Sequence, residues 1–136
     1  MCARYSIGFT EKQVRDLFNL EEIEPLELRY NVAPTQDVPA VVQEPETGKR
    51  HLESFRWGLV PYWADDLRIA QKLINARAET AAEKASFRNA LRRRRCLIPA
   101  DAYYEWLRFK IDGKTARRAF LFRRADGEPM GLAGLW

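Results

Sequence analysis

The sequence predicts an α+β fold, a predominantly antiparallel sheet that curls or forms an open barrel, with two or three short helices. Three observations carry this expectation. Four segments of the second half read as strands: RCLIPA (95–100), YYEWLRFK (103–110), ARRAFLFRR (116–124) and PMGLAGLW (129–136). The connections KIDGKT (110–115) and RADGEP (124–129) each contain Asp-Gly, which favours the positive φ of tight hairpin turns. Helical periodicity is confined to two short stretches, so helices decorate the strands rather than alternate with them.

In chain order, TEKQVRDLFNL (10–20) predicts a short helix. Thr10 and Gln13 fit a capping box, and Val14, Leu17 and Phe18 fall on one face. DVPAVVQE (37–44) and HLESFRWGLV (51–60) predict strands joined by the turn-rich PETGK (45–49), hence a hairpin. A second helix is expected over ETAAEKASFRNALR (79–92), with Phe87 and Leu91 facing inward. The closing GLAGLW lacks polar alternation and reads as a strand buried on both faces. It leads us to expect a truncated version of a longer fold, a single domain over 1–136 with its last part missing.

With 136 residues and no repeats or low-complexity tracts, the chain can bury a real core. No signal peptide is expected, because no basic segment precedes an apolar stretch at the N-terminus. No apolar run approaches the roughly 20 residues needed to span a bilayer. Two distant cysteines suggest a reducing compartment, the cytoplasm. The charge is unevenly placed. Residues 84–124 carry 13 basic side chains against three acidic ones, whereas residues 11–27 hold five glutamates and one aspartate. This asymmetry fits a polyanionic partner or a solvated basic face.

Cys2 is the first residue with chemistry of its own. Methionine aminopeptidase removes Met1 when residue 2 is small, and cysteine qualifies. The freed α-amine would have a pKa near 7.7–8.0, leaving a neutral, nucleophilic fraction at physiological pH. A thiol starts near 8.5 and falls beside cationic groups, and Arg4 is two residues away. An amine and a thiol on adjacent carbons suit an aldehyde: the amine condenses to an imine, then the thiolate closes a thiazolidine. Position alone also allows a merely tolerated small residue.

INARAET (74–80) sets Asn75 and Arg77 two apart, on one side of an extended segment. Asn75 can donate and accept, and Arg77 offers a planar fork for phosphate. ADAYYEW (101–106 with its leading alanine) places Glu105 between Tyr104 and Trp106, either facing solvent or set in a cleft for proton transfer. RYNVAPTQ (29–36) and WGLVPYWA (57–64) are rich in aromatics and proline, and Trp57, Tyr62 and Trp63 are candidates for a base-stacking platform or for core filling. Cys96 reads as a small buried hydrophobe. With His51 as the only histidine and no cysteine cluster, neither a metal site nor a cofactor is expected.

Taken in order, MCxRY, RYNVAPTQ, WGLVPYWA, INARAET, RRCLIPADAYYEW and GLAGLW resemble the SOS-response-associated peptidase family, which forms covalent cross-links to abasic DNA. The resemblance spans nearly the whole chain. It implies a sensor of abasic sites in single-stranded DNA, whose mature N-terminal cysteine forms a thiazolidine with the open-chain sugar aldehyde. By motif, Cys2 is the nucleophile, Asn75 orients the sugar and the amine, and Glu105 moves protons. Arg4 and Arg77 hold phosphates, while Asn31, Pro34, Trp57 and Trp63 shape the pocket and wedge the strand. The implied partner is single-stranded DNA with abasic sites, bound by a monomer without membrane, metal or cofactor. A peptidase role beyond removal of its own leader is implied only by the family's name.

Two departures stand out. Ala3 replaces the usual glycine, and the family continues past GLAGLW to a functional histidine ahead of Arg-Met-Pro, for which His51 lies in the wrong motif. Two other functions remain open: a single-stranded DNA-binding remnant that does not cross-link, and an N-terminal-nucleophile amide hydrolase.

Overall fold

In the computed structural model, which describes residues 2–136, the first strand is the shortest and the most buried. Strand β1 (Tyr5–Ile7) has all three side chains out of solvent. Helix α1 (Glu11–Phe18) follows, and its capping box is present. The Thr10 hydroxyl accepts the Gln13 backbone N–H at 3.3 Å, while Gln13 Oε1 accepts the Thr10 backbone N–H at 3.0 Å. Such a cap is worth about 1 kcal/mol. Val14 and Phe18 enter the core, but Leu17, expected beside them, is 47% exposed. At 3.6 residues per turn Leu17 lies about 80° from the midline between Val14 and Phe18, outside the buried stripe.

Strands β2 (Arg29–Val32), β3 (Asp37–Gln43) and β4 (Arg50–Arg56) come next. The β3–β4 hairpin is the expected one, in register from Asp37 opposite Arg56 to Gln43 opposite Arg50. It ends four residues earlier than the sequence suggested, because the chain leaves the sheet at Trp57 and Gly58. A 3₁₀ helix (Leu67–Lys72) follows. The single helix expected over 79–92 is two pieces, α2 (Ala78–Ala81) and α3 (Arg88–Arg93). Between them the Glu83 and Phe87 amides reach back three residues, to the Thr80 and Lys84 carbonyls, and this tightening breaks the α-helical ladder. Ala81, Phe87 and Ala90 are each buried. Leu91 is only half-buried.

Strands β5 (Arg95–Ala100), β6 (Ala102–Ile111), β7 (Lys114–Arg123) and β8 (Met130–Leu135) match the four expected segments. Asp112 and Gly113 both take positive φ, 49° and 76°, closing the β6–β7 hairpin as the first Asp-Gly pair foretold. The second pair does something else. Gly127 also has positive φ, but β7 and β8 belong to different sheets, so the turn carries the chain across instead of folding it back.

Two four-stranded sheets result, in the orders β2-β1-β6-β7 and β4-β3-β5-β8, with every pairing antiparallel. The α+β class therefore holds, as two curled antiparallel sheets with three short α-helices. The sheets join at Asp101, whose N–H donates to the Ser6 carbonyl and whose Oδ1 accepts the Gly8 N–H at 2.7 Å. Ile7, Phe9, Val14, Val32, Val38 and Val41 form the apolar core around this corner. Each such side chain contributes about 1.5–3 kcal/mol on burial.

Strand β8 corrects one expectation. It forms the edge of its sheet, and its side chains are half-buried or exposed rather than buried on both faces. Its glycines serve close packing instead. A Cβ on Gly134 would meet Cys96 Sγ at 2.7 Å. Among the described residues no helix is long and apolar enough to cross a membrane.

Candidate active site

Strand β1 is flanked by β2 and β6, and its register decides where Cys2 lies. Tyr5 opposes Tyr103 and Ser6 opposes Ala102. The ladder runs on, with the Tyr104 N–H donating to the Arg4 carbonyl at 2.9 Å. The chain before β1 thus lies alongside the stretch of β6 that holds Glu105. The Asn75 side chain donates from Nδ2 to the Cys2 carbonyl at 2.6 Å, clamping the residue from the other side. Met1 lies outside the described residues.

The Cys2 thiol is half-buried and donates to the Arg4 carbonyl at 3.1 Å. Burial pushes its pKa above the ordinary thiol value, and the negative charge of Glu105 pushes the same way. Backbone hydrogen bonding at Arg4 and Tyr104 opposes both. At neutral pH this burial favours the protonated thiol. Ala3 does not take a positive φ. Among the described residues the non-glycine positive φ values belong to Asn19, Thr35 and Asp112.

Asn75 owes its place to Trp57. The indole Nε1–H donates to the Ile74 carbonyl at 2.8 Å, one residue before Asn75. Trp57 is itself held by backbone bonds to Thr35 and Gln36, and its ring packs on Tyr5 at 5.6 Å and 59°. Next to it Gly58 adopts φ +143°, and a Cβ there would sit 2.7 Å from the Ala70 carbonyl oxygen. Gly58→Ala is expected to cost about 1–3 kcal/mol of backbone strain. Denaturant titration measures that loss, and a midpoint unchanged from wild type would contradict it.

A cavity of about 520 Å³ opens beside this clamp, with Cys2, Tyr5, Trp57, Asn75, Cys96 and Trp136 among its lining residues. The Tyr5 hydroxyl is buried without a hydrogen-bond partner, and burial raises its pKa far enough to keep the phenol neutral. Burial also pushes the Cys96 thiol up to about 11, which leaves it unreactive. On the sheet face beyond Arg4 runs an open groove of about 860 Å³, bounded by Ala3, Arg4, Asn31, Tyr104, Trp106 and Arg117.

The structure thus groups the candidate residues unevenly. Cys2, Asn75 and Trp57 share the cavity, and Glu105 acts on the Cys2 thiol through its charge. Arg4 and Asn31 share the groove. Pro34, Trp63 and Arg77 line neither; Pro34 is half-buried in the turn after β2, and Arg77 is exposed just before α2. A platform joining Trp57 to Tyr62 and Trp63 does not form. Trp57 is packed against Tyr5, whereas Tyr62 and Trp63 are 75% and 46% exposed in the following loop. Sequence reasoning missed Tyr5, Trp106 and Arg117. The period-two spacing of Tyr104 and Trp106 was the signal available for the groove. His51 sits on the surface within 4 Å of Glu44 and Glu53, remote in role from this cluster. Among the described residues no three His, Cys, Asp or Glu side chains gather as metal ligands would.

A family model described as SOS response associated peptidase (SRAP) matches residues 1–136. The abasic site processing protein YoaM of Bacillus subtilis is 42% identical over 118 residues, covering 85% of this chain and 50% of that protein. The abasic site processing protein YedK of Escherichia coli is 36% identical, over 79% of this chain and 44% of its own length. The chain therefore spans about half the length of these relatives. A crystal structure from Bordetella bronchiseptica is 33% identical and superposes with a TM-score of 0.73, covering 99% of this chain and 63% of that one. One from Bacteroides thetaiotaomicron, at 23% identity and a TM-score of 0.77, shares the fold.

Proposed function

The chain belongs to the SOS response associated peptidase family, and from that membership we propose that it processes abasic sites by cross-linking them to its own N-terminus. The substrate is the open-chain sugar aldehyde of an abasic residue in single-stranded DNA. Once Met1 is removed, the Cys2 nitrogen attacks the aldehyde carbon, and the carbinolamine loses water to give an imine. The sulfur then adds to the imine carbon as its proton leaves, and the nitrogen gains one, closing the thiazolidine. One water is released overall.

The observation that carries this reading is the clamp on Cys2, with Asn75 on its carbonyl and the charge of Glu105 at its sulfur. Near pH 7.5 a free α-amine is partly neutral, so the nitrogen attacks the aldehyde and the sulfur closes on the imine carbon that results. Glu105 takes the thiol proton as the ring closes and returns it to the nitrogen. Asn75 keeps the residue oriented, with its amide on the Cys2 carbonyl. Arg4 and Arg77 hold flanking phosphates, Asn31 and Pro34 shape the entrance, Trp57 fixes Asn75, and Trp63 wedges the strand. An abasic nucleotide has already lost its stacking, so drawing it into the site costs less than flipping an intact base. The residues 1–136 act as one domain, as a monomer, in the cytoplasm and on the nucleoid during the DNA damage response.

Intact-mass spectrometry tests the proposal directly. The purified protein should lack the mass of Met1, and after exposure to abasic single-stranded DNA it should gain that of the DNA less one water. Retained Met1, or no covalent gain, refutes it. Salt-sensitive DNA binding without an adduct would mark the chain as a non-covalent DNA binder instead.

A further inference from the structure

The four consecutive arginines Arg92 to Arg95 are not alike. Arg92, Arg93 and Arg95 are exposed, whereas Arg94 is half-buried at the junction of α3 and β5. Its backbone is fixed on both sides. The N–H donates to the Ala90 carbonyl at 2.7 Å, and the carbonyl accepts the Trp136 N–H at 3.0 Å. Arg94 also lines the cavity of about 520 Å³ that holds Cys2 and Asn75. Three buried side-chain polar atoms lack a partner among the described residues. Two of them, Arg94 Nε and the Tyr5 hydroxyl, belong to residues lining this cavity. An unmade hydrogen bond in a buried place costs more than a made one returns, so such donors call for a ligand.

The charge in the cavity is one-sided. Arg94 and the more exposed Arg56 line it, and among the described residues no Asp or Glu does. Neither arginine lies in an ion pair there, not even Arg56 with Asp37, its opposite in the β3–β4 register. Both are tied to the Trp136 end. The Trp136 ring stacks on Phe55, the neighbour of Arg56, at 5.2 Å and 27°, while its backbone is bonded to Arg94. Phe87, Ile98 and Leu135 add apolar wall. A half-buried cation without a counter-charge is costly among such walls. Its planar fork suits an oxyanion held by two parallel N–H bonds.

We propose that the cavity binds a small organic carboxylate with an apolar body, its carboxylate on the Arg94 guanidinium with Arg56 beside it and its body against the Phe55–Trp136 pair. The volume lies within the roughly 300–1,000 Å³ of small-molecule sites. One negative charge suits the place better than a phosphate dianion, which costs more to bring among apolar walls. Cys2 plays no part in the binding. The inference therefore goes beyond the cross-linking reading and stands apart from it.

The probe is 3-phenylpropionate, with 3-phenylpropionamide as its uncharged counterpart, titrated by calorimetry into the protein without DNA. The carboxylate should bind about 10- to 150-fold more tightly than the amide, the range for a hydrogen bond to a charged group. Arg94→Gln should remove that preference, and Arg94→Lys, which keeps the charge but not the fork, should restore part of it. If Arg94→Gln does not fold, Arg56→Gln decides the matter, since it alters an exposed residue and should lower the preference. No binding of the carboxylate, equal binding of the amide, or a preference untouched by these variants overturns the inference. Displacement of the probe by equimolar inorganic phosphate would show a plain oxyanion site, and displacement by an oligothymidylate a site for DNA phosphate; either overturns it. Selective carboxylate binding by protein that forms no abasic adduct refutes the cross-linking reading and leaves this one standing.

Discussion

Replacing Cys2 with alanine is expected to abolish the heat-resistant DNA adduct completely. Alanine is also small enough for Met1 removal, so the variant keeps its α-amine and loses only the sulfur. It can still condense with an aldehyde, but the imine has no neighbouring nucleophile to trap it and reverts in water. The discriminating measurement is a denaturing gel run with and without borohydride. Cys2→Ala should give no band without reductant and a band with it, because reduction fixes the imine. A heat-resistant band at wild-type yield without reductant would falsify thiazolidine formation. Stability should change little: Cys2 is only half-buried, and its Sγ makes one hydrogen bond to the Arg4 carbonyl.

Glu105→Gln should produce two changes of opposite sense. Cross-linking should slow by about 10²- to 10⁴-fold, the usual contribution of a positioned proton-transfer group. The Cys2 thiol should meanwhile become more acidic. The Glu105 charge disfavours the thiolate, so the neutral amide removes part of what lifts the pKa, although burial, the larger cause, remains. Alkylation by iodoacetamide at fixed pH should therefore be faster than in the wild type. The pairing is informative because a variant that merely loosened the site would expose the sulfur without this selective loss of adduct chemistry. Adduct formation at the wild-type rate would rule out proton transfer by Glu105, and alkylation no faster would show that its charge does not reach the sulfur.

Much of the architecture could be read from the sequence because the longer strands announce themselves. β3 to β8 each run for at least six residues between turn signals, and Asp112-Gly113 carries the φ values its identity suggested. What escaped was short or depended on distant partners. β1 and β2 span three and four residues, too few for a periodicity to show, and they form only because β6 lies alongside β1. The break between α2 and α3 accompanies the burial of Ala81, Phe87 and Ala90, which no local propensity encodes. At the site, residue types identified Cys2, Asn75 and Glu105 as candidates, and the fold adds how they relate. Trp57 shows the limit well. Its aromatic neighbours in sequence suggested a platform, but its indole nitrogen holds the Ile74 carbonyl. Arg117 was one arginine among many until strand register set it across from Arg108.

Chain ends ordinarily fray, and a reactive group carried on one spends most of its time pointing elsewhere. The short strand behind Cys2 is stitched to neighbours on both edges, and the Asn75 amide grips the residue's own carbonyl rather than its nitrogen or sulfur. The residue is thereby held still, with its sulfur on the Arg4 carbonyl. For the proposed reaction with an aldehyde, the freedom that a loose cysteine would forfeit at each encounter is given up once, when the protein folds.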